Sequence, residues 1–175
     1  RDRILLAVSG GMDSVAMASL FHQAGYAFGI AHCNFGLRGE ESDREEQFVR
    51  SLAGSFGVLF YSIRFDTAAY AQENGLSIQM AARELRYGWF GELRQNDGYR
   101  YIATAHHLDD QAETFLINLS RGTGIAGLHG ILPKKGDLIR RMLFTDRNEI
   151  ARFVSGNKLA YMEDSSNAEI KYQRN

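Results

Sequence analysis

Short uninterrupted apolar runs alternate along this chain with longer segments whose apolar residues recur every three or four positions. Ile4-Leu5-Leu6-Ala7-Val8 is the first run. Ser-Gly-Gly closes it, and the helix-compatible stretch 14–23 follows and ends at Gly25, which predicts strand, loop and helix. The pattern repeats as a strand over 26–34, a helix over 38–55 with Phe48, Val49 and Leu52 at helical spacing, and a strand over 58–65. Residues 66–74 predict a short helix. Residues 78–94 predict a longer one, with Ala81, Leu85, Trp89 and Leu93 on one face. A fourth strand is expected over 99–104. A helix over 109–120 then carries Ala112, Phe115, Leu116 and Leu119 on one side, and the Gly-rich stretch 121–130 breaks it. A last strand over 138–144 and a helix from Asp146 complete the pattern.

Strands alternating with helices imply right-handed crossovers, hence a doubly wound α/β domain whose mainly parallel sheet has helices on both faces. Ligands of such sheets sit at the carboxyl ends of the strands, where the winding reverses, so the loops after Val8, Asn34 and Thr104 are expected to converge. Residues 1–175 read as one domain, without internal repeat or low-complexity tract; Pro133 is the sole proline.

Composition narrows the function classes. Apolar residues make up 45% of the 175, enough to bury a core. The 20 basic and 21 acidic side chains leave a net charge of −1, so any attraction to nucleic acid must be local. The stretch 134–152 holds Lys134, Lys135, Arg140, Arg141, Arg147 and Arg152 and is a candidate for nucleic-acid phosphates. Cys33 is the only cysteine, which excludes an intrachain disulfide or a multi-cysteine metal site from this chain alone and points to a reducing, cytoplasmic setting. No apolar run reaches the roughly 20 residues of a membrane span.

The loop Ser9-Gly10-Gly11-Met12-Asp13-Ser14 lies between a strand and a helix, where free N–H groups and the helix dipole favour an anion. Its glycines allow close backbone approach, its serines add hydroxyls, and Asp13 can hold magnesium. The plainer alternative is a tight turn with Asp13 and Ser14 capping the helix. Neither the Walker spacing nor Gly-x-Gly-x-x-Gly is present. After the second strand, His32, Asn34 and Arg38 stand near the expected nucleotide, with Arg38 able to neutralise phosphate charge. After the fourth come His106-His107-Leu108-Asp109-Asp110, with Glu113 one turn from Asp109. This cluster suits proton transfer or metal binding, although zinc is disfavoured because the histidines are not spaced as ligands.

Taken in order, these strings resemble the tRNA(Ile)-lysidine synthetases, a family of the ATP pyrophosphatase (PP-loop) superfamily with an adenine nucleotide alpha-hydrolase-like fold. The resemblance also rests on Ala81-Ala82-Arg83-Glu84-Leu85-Arg86-Tyr87, Ser120-Arg121-Gly122-Thr123-Gly124, and Glu163-Asp164-Ser165-Ser166-Asn167 followed by Tyr172-Gln173-Arg174-Asn175. Arg140-Arg141-Met142-Leu143 departs from the Arg-Pro-Leu-Leu that such sequences tend to carry, which bears on the local turn.

The resemblance implies an enzyme that uses ATP to adenylylate C2 of the unmodified wobble cytidine of isoleucine tRNA, releasing pyrophosphate. The ε-amine of free lysine then displaces AMP to give lysidine. By carry-over, Ser9, Gly10, Gly11, Met12, Asp13, Ser14, His32 and Arg38 hold ATP, with magnesium on Asp13. Asp13, Arg83, His106, Asp109 and Asp110 form the reaction centre, and Arg86, Glu113, Glu163, Asp164, Asn167 and Arg174 meet the tRNA or lysine. Glu113, Glu163 and Asp164 are all open for the lysine ammonium. The chain is expected to be a catalytic domain without the family's C-terminal tRNA-binding domains, and relatives suggest a homodimer. A PP-loop tRNA thiolase or a non-catalytic ATP-binding module is the alternative.

Overall fold

The computed structural model describes residues 2–122 and 129–163. Its chain order is β1 (Ile4–Ala7), α1 (Met12–Gln23), β2 (Phe28–Asn34), α2 (Glu40–Phe56), β3 (Phe60–Arg64), α3 (Thr67–Asn74), α4 (Ile78–Asn96), β4 (Tyr101–Ala103), α5 (Leu108–Ser120), β5 (Lys134–Lys135), β6 (Leu138–Ile139) and α6 (Arg147–Gly156). The sheet order is β3-β2-β1-β4-β6-β5, parallel throughout except for the last pair. The winding therefore reverses between β1 and β4.

Strand β1 is apolar on both faces because both are covered. Ile4 and Leu6 join Met17 and Phe21 of α1, Val49 of α2, and Ile150 and Val154 of α6 in one core. Leu5 meets Ala31, Ile102, and Phe90 of α4 in the other. Leu5 and Leu6 are fully buried, and each contributes roughly 1.5–3 kcal/mol by leaving water. Phe90, one position beyond the predicted Trp89, is the most buried aromatic of α4. Helix ends follow local chemistry: Asp66 and Ser77 cap α3 and α4, and Asp146 with Glu149 forms a capping box on α6.

Two expectations change. The last strand stops at Ile139 rather than running to Phe144, because β4 ends at Ala103 and the Thr145 N–H donates to the Met142 carbonyl, turning the chain. Before it lies an unexpected edge strand, Lys134-Lys135, joined through Gly136 (φ 59°) and Asp137 in a two-residue hairpin. Its exposed lysines discourage further strand pairing. Helix α5 forms as expected, yet no residue of it is buried, and Leu116 and Leu119 are more than half exposed. No described helix is long and apolar enough to cross a membrane.

Gly29 of β2 lies beneath the buried Tyr99 ring, and a methyl there would overlap the Tyr99 hydroxyl. Gly29→Ala is expected to destabilise the fold by about 2 kcal/mol in urea unfolding. Tyr99→Phe in the same chain should recover part of that loss, and no recovery would show that the clash lies elsewhere.

Candidate active site

The loops after β1, β2 and β4 meet as expected around a cavity of about 400 Å³. Ser9, Gly11, Asp13 and Ser14 form one wall, with Arg86, His106 and Asp110 facing it. Ala31, Cys33, Tyr87 and Phe90 make an apolar floor on the α4 side.

The first loop is organised by its own hydroxyls. Ser14 Oγ accepts from the N–H groups of Ser9 and Gly10, both at 3.2 Å, and donates to the Gly11 carbonyl at 2.9 Å. Gly10 holds φ +101°, which a side chain rarely adopts, and its surroundings (Val49, Phe48 and Met162) are already at contact distance. The N-cap of α1 is Gly11, and no side chain caps the helix, so Asp13 and Ser14 are not the cap of the plainer alternative. Met12 turns into the core rather than the cavity.

Asp13 reaches toward α5. Its Oδ2 lies 3.6 Å from His107 Nε2, which is also 3.6 Å from Asp110 Oδ2, and its buried Oδ1 has no hydrogen-bond partner. Burial pushes the Asp13 carboxyl above the usual carboxylate range, against the pull of His107 and Arg147. The Asp110 carboxylate also accepts from the His107 N–H at 2.9 Å, fixing the start of α5. His106 Nδ1 lies 2.9 Å from Thr104 Oγ1, and burial lowers its pKa. Asp110 opposes that shift, whereas Arg140, Arg83 and Arg86 add to it.

Other predicted residues stand apart from the cavity. On β2, Phe28, Ile30 and His32 alternate onto the α1 side. His32 is buried there, with Nδ1 2.9 Å from the Val8 carbonyl. Arg38 pairs with Glu41 and Glu45 of α2 instead of facing the nucleotide loop. Asp109 accepts from the Arg147 N–H at 2.8 Å, tying α5 to α6, so it does not share the cavity with Asp110. Glu113 is exposed on α5, and Arg83 is exposed with its guanidinium over the Tyr87 ring. Glu163 follows Met162, whose N–H donates to the Gly10 carbonyl at 2.9 Å and brings the end of the described chain to the first loop. Asp164, Asn167 and Arg174 lie outside the described residues. The basic residues of 134–152 are dispersed: Lys134 stacks on Tyr101, Arg140 is buried, and Arg141 lines an apolar groove beside α1.

Sequence reasoning named His107 only as part of the paired histidines and Arg140 only as one of six basic residues, with no individual role for either. The paired histidines were the signal for the first; for the second only the register of β6 against β4 supplies one.

The PP-loop domain profile matches residues 1–175. The chain belongs to the PP-loop family. ATP binding accompanies that membership. The chain is 49% identical over 174 residues to a tRNA(Ile)-lysidine synthase of Bacteroides thetaiotaomicron, covering 99% of this chain and 41% of that protein. It is 46% identical over 178 residues to that of Chlorobaculum tepidum, covering 99% and 54%. It thus spans about half or less of these relatives. Among solved structures, a U34-tRNA thiolase from Methanococcus maripaludis aligns with TM-score 0.76 at 16% identity, over 93% of this chain and 59% of that one. An NH3-dependent NAD synthetase from Campylobacter jejuni aligns at 0.62 and 14%, over 89% and 64%. At these identities the PP-loop chain shares their fold alone.

Burial lowers the pKa of His32, so the native state resists protonating it while the unfolded chain does not. This contribution to stability is complete above about pH 6.5, the unfolded value, and is lost as pH falls toward the depressed native one. Denaturant unfolding at pH 7.5 and 5 should show that loss, and His32→Asn should shrink the difference; an unchanged difference would remove His32 as a cause.

Proposed function

We propose that this chain is the catalytic portion of a tRNA(Ile)-lysidine synthetase, joining lysine to C2 of the wobble cytidine of isoleucine tRNA at the expense of ATP. The observation that carries the reading is the near-complete alignment, at 49% identity, with proteins of that name. The meeting of Ser9, Gly11, Asp13 and Ser14 with His106 and Asp110 in one cavity supports it.

In this reading Ser9, Gly10, Gly11 and Ser14, with the first N–H groups of α1, receive the pyrophosphate end of ATP. Asp13 suits a magnesium ion, since its Oδ1 is buried without a partner and carboxylate oxygen is the donor that ion prefers. No group of three metal-binding side chains occurs among the described residues, so ATP oxygens would complete the shell. Bound there, magnesium would neutralise charge on the leaving pyrophosphate.

The cytidine O2 attacks the α-phosphorus, the bond to the β-phosphate oxygen breaks, and pyrophosphate leaves. The lysine ε-amine then attacks C2, the C2–O bond breaks, and AMP leaves. His106, which burial and three arginines keep neutral, is the base that takes the amine proton, with Thr104 fixing its ring. Arg83 and Arg86 offer charge to phosphates on the α4 side. Glu113, Glu163 and Asp164 stay open for the lysine ammonium, and Asn167 and Arg174 for RNA. Cytoplasmic location, a homodimer and further tRNA-binding domains belong to the same proposal.

The intact protein incubated with ATP, labelled lysine and isoleucine tRNA bearing an unmodified anticodon should pass label into the tRNA. ATP binding without tRNA-dependent pyrophosphate release would instead favour a non-catalytic module. Asp13→Ala is expected to lower pyrophosphate release by about 100-fold or more. Its melting temperature should stay level or rise, because a costly buried carboxylate is gone; an active variant would remove Asp13 from the site.

A thiolase reading has the shared fold in its favour. Cys33, the sole thiol of the chain, is partly buried and pushed up to about 12, far from a reactive thiolate. Cys33→Ser should therefore keep lysidine formation within a few-fold of wild type. Loss of a sulfur-transfer activity in that variant would favour the thiolase.

A further inference from the structure

Arg140 leaves the sheet at the end of β6. The pairs Ile102↔Leu138 and Ala103↔Ile139, followed by donation from the Thr104 N–H to the Ile139 carbonyl, set Arg140 abreast of Thr104, the residue that holds His106. Side chains alternate across these strands, with Ile102 and Leu138 in the α4-side core and Ala103 and Ile139 in the other. Thr104 and Arg140 consequently turn to the α4 side, where the cavity lies.

Arg140 is only 8% exposed. One of its NH groups donates to the Leu132 carbonyl at 2.7 Å, its Nε is buried without a partner, and no carboxylate among the described residues pairs with it. Among the described residues Arg83 and Arg86 also lack carboxylate partners, and they rest on the rings of Tyr87 and Phe35 at 5.0 and 5.1 Å. All three cations act on His106. A buried guanidinium whose Nε has no partner is costly unless an anion arrives to meet it. If Arg140 served only to tie the β5–β6 hairpin, one donor would suffice.

We propose that Arg140, with Arg83 and Arg86, forms a phosphate-binding cluster beside His106, separate from the loop at residues 9–14. Planar guanidinium forks suit the several oxygens of a phosphate. The phosphate comes from ATP or from the RNA backbone beside the reacting nucleotide; the RNA source rests on the lysidine-synthetase reading.

The test uses the intact protein with Arg140→Gln and Arg140→Lys, at a temperature where circular dichroism shows each variant folded. ATP affinity is measured by calorimetry without RNA or lysine, and affinity for isoleucine tRNA by filter binding over a range of salt. The expected result is a loss of about tenfold or more for Arg140→Gln in one arm, with Arg140→Lys intermediate. Loss in the ATP arm assigns the phosphate to the nucleotide. Loss in the tRNA arm, with a salt slope shallower by about one, assigns it to the RNA. Should Arg140→Gln fail to fold, Arg140→Lys still loses the fork geometry, and wild-type affinity for it in both arms would overturn the cluster. So would affinities within twofold of wild type for both variants. Both arms are read without turnover, so a failure here is distinct from a failure to form lysidine.

Discussion

Strand β1 is buried on both faces, and much of the architecture is the consequence of having to cover both. Helices α1, α2 and α6 take one side and α4 the other, so the chain must reverse its winding next to β1. That reversal parts the loops following β1 and β4 and leaves the cavity between them. It also requires α1 to begin a few residues after β1, which explains the sharp turn at Gly10 and the first-turn N–H groups that no side chain caps. The free N–H groups at this point are thus a by-product of the fold.

The strands and helices were legible because each apolar run had a definite period; the bounds of α3 and α4 and the start of α6 lie within two residues of those read from sequence. The hairpin at 134–139 was missed although Gly136-Asp137 is a known two-residue turn signal, because two lysines do not resemble a strand. Residues 142–144 misled for the opposite reason: apolar character with no more than a single bridge, Met142 to His107, beyond the end of β4. In the site, the meeting of Ser9, Gly11, Asp13 and Ser14 with His106 and Asp110 could be read directly. Which face of β2 meets the cavity could not, since alternation separates His32 from Cys33 but only tertiary packing decides which of them looks toward α4. Asp109 and Asp110 part company in the same way, one taken by the start of α6 and the other left to the cavity.

Asp13 illustrates how such a site conflicts with stability. Its carboxyl is desolvated and one oxygen has no partner, which opposes folding. His107 offsets part of this, buried between Asp13 and Asp110 and held by the backbone bond that starts α5. An uncharged residue at position 13 would fold at less cost. A cation arriving with the nucleotide would relieve the same penalty, so the energy withheld in the free protein becomes available on binding.

His106 stands under two opposing influences. Burial and three arginines favour its neutral form, and Asp110 favours the charged one. Cations that attract phosphate therefore also keep the imidazole unprotonated before substrate binds. A phosphate placed among those arginines cancels much of their field, and the proton affinity of His106 rises at that moment. In the proposed reaction this is the stage at which the attacking amine has a proton to lose. In that proposal, one arrangement of guanidiniums would both recruit the anion and time the base.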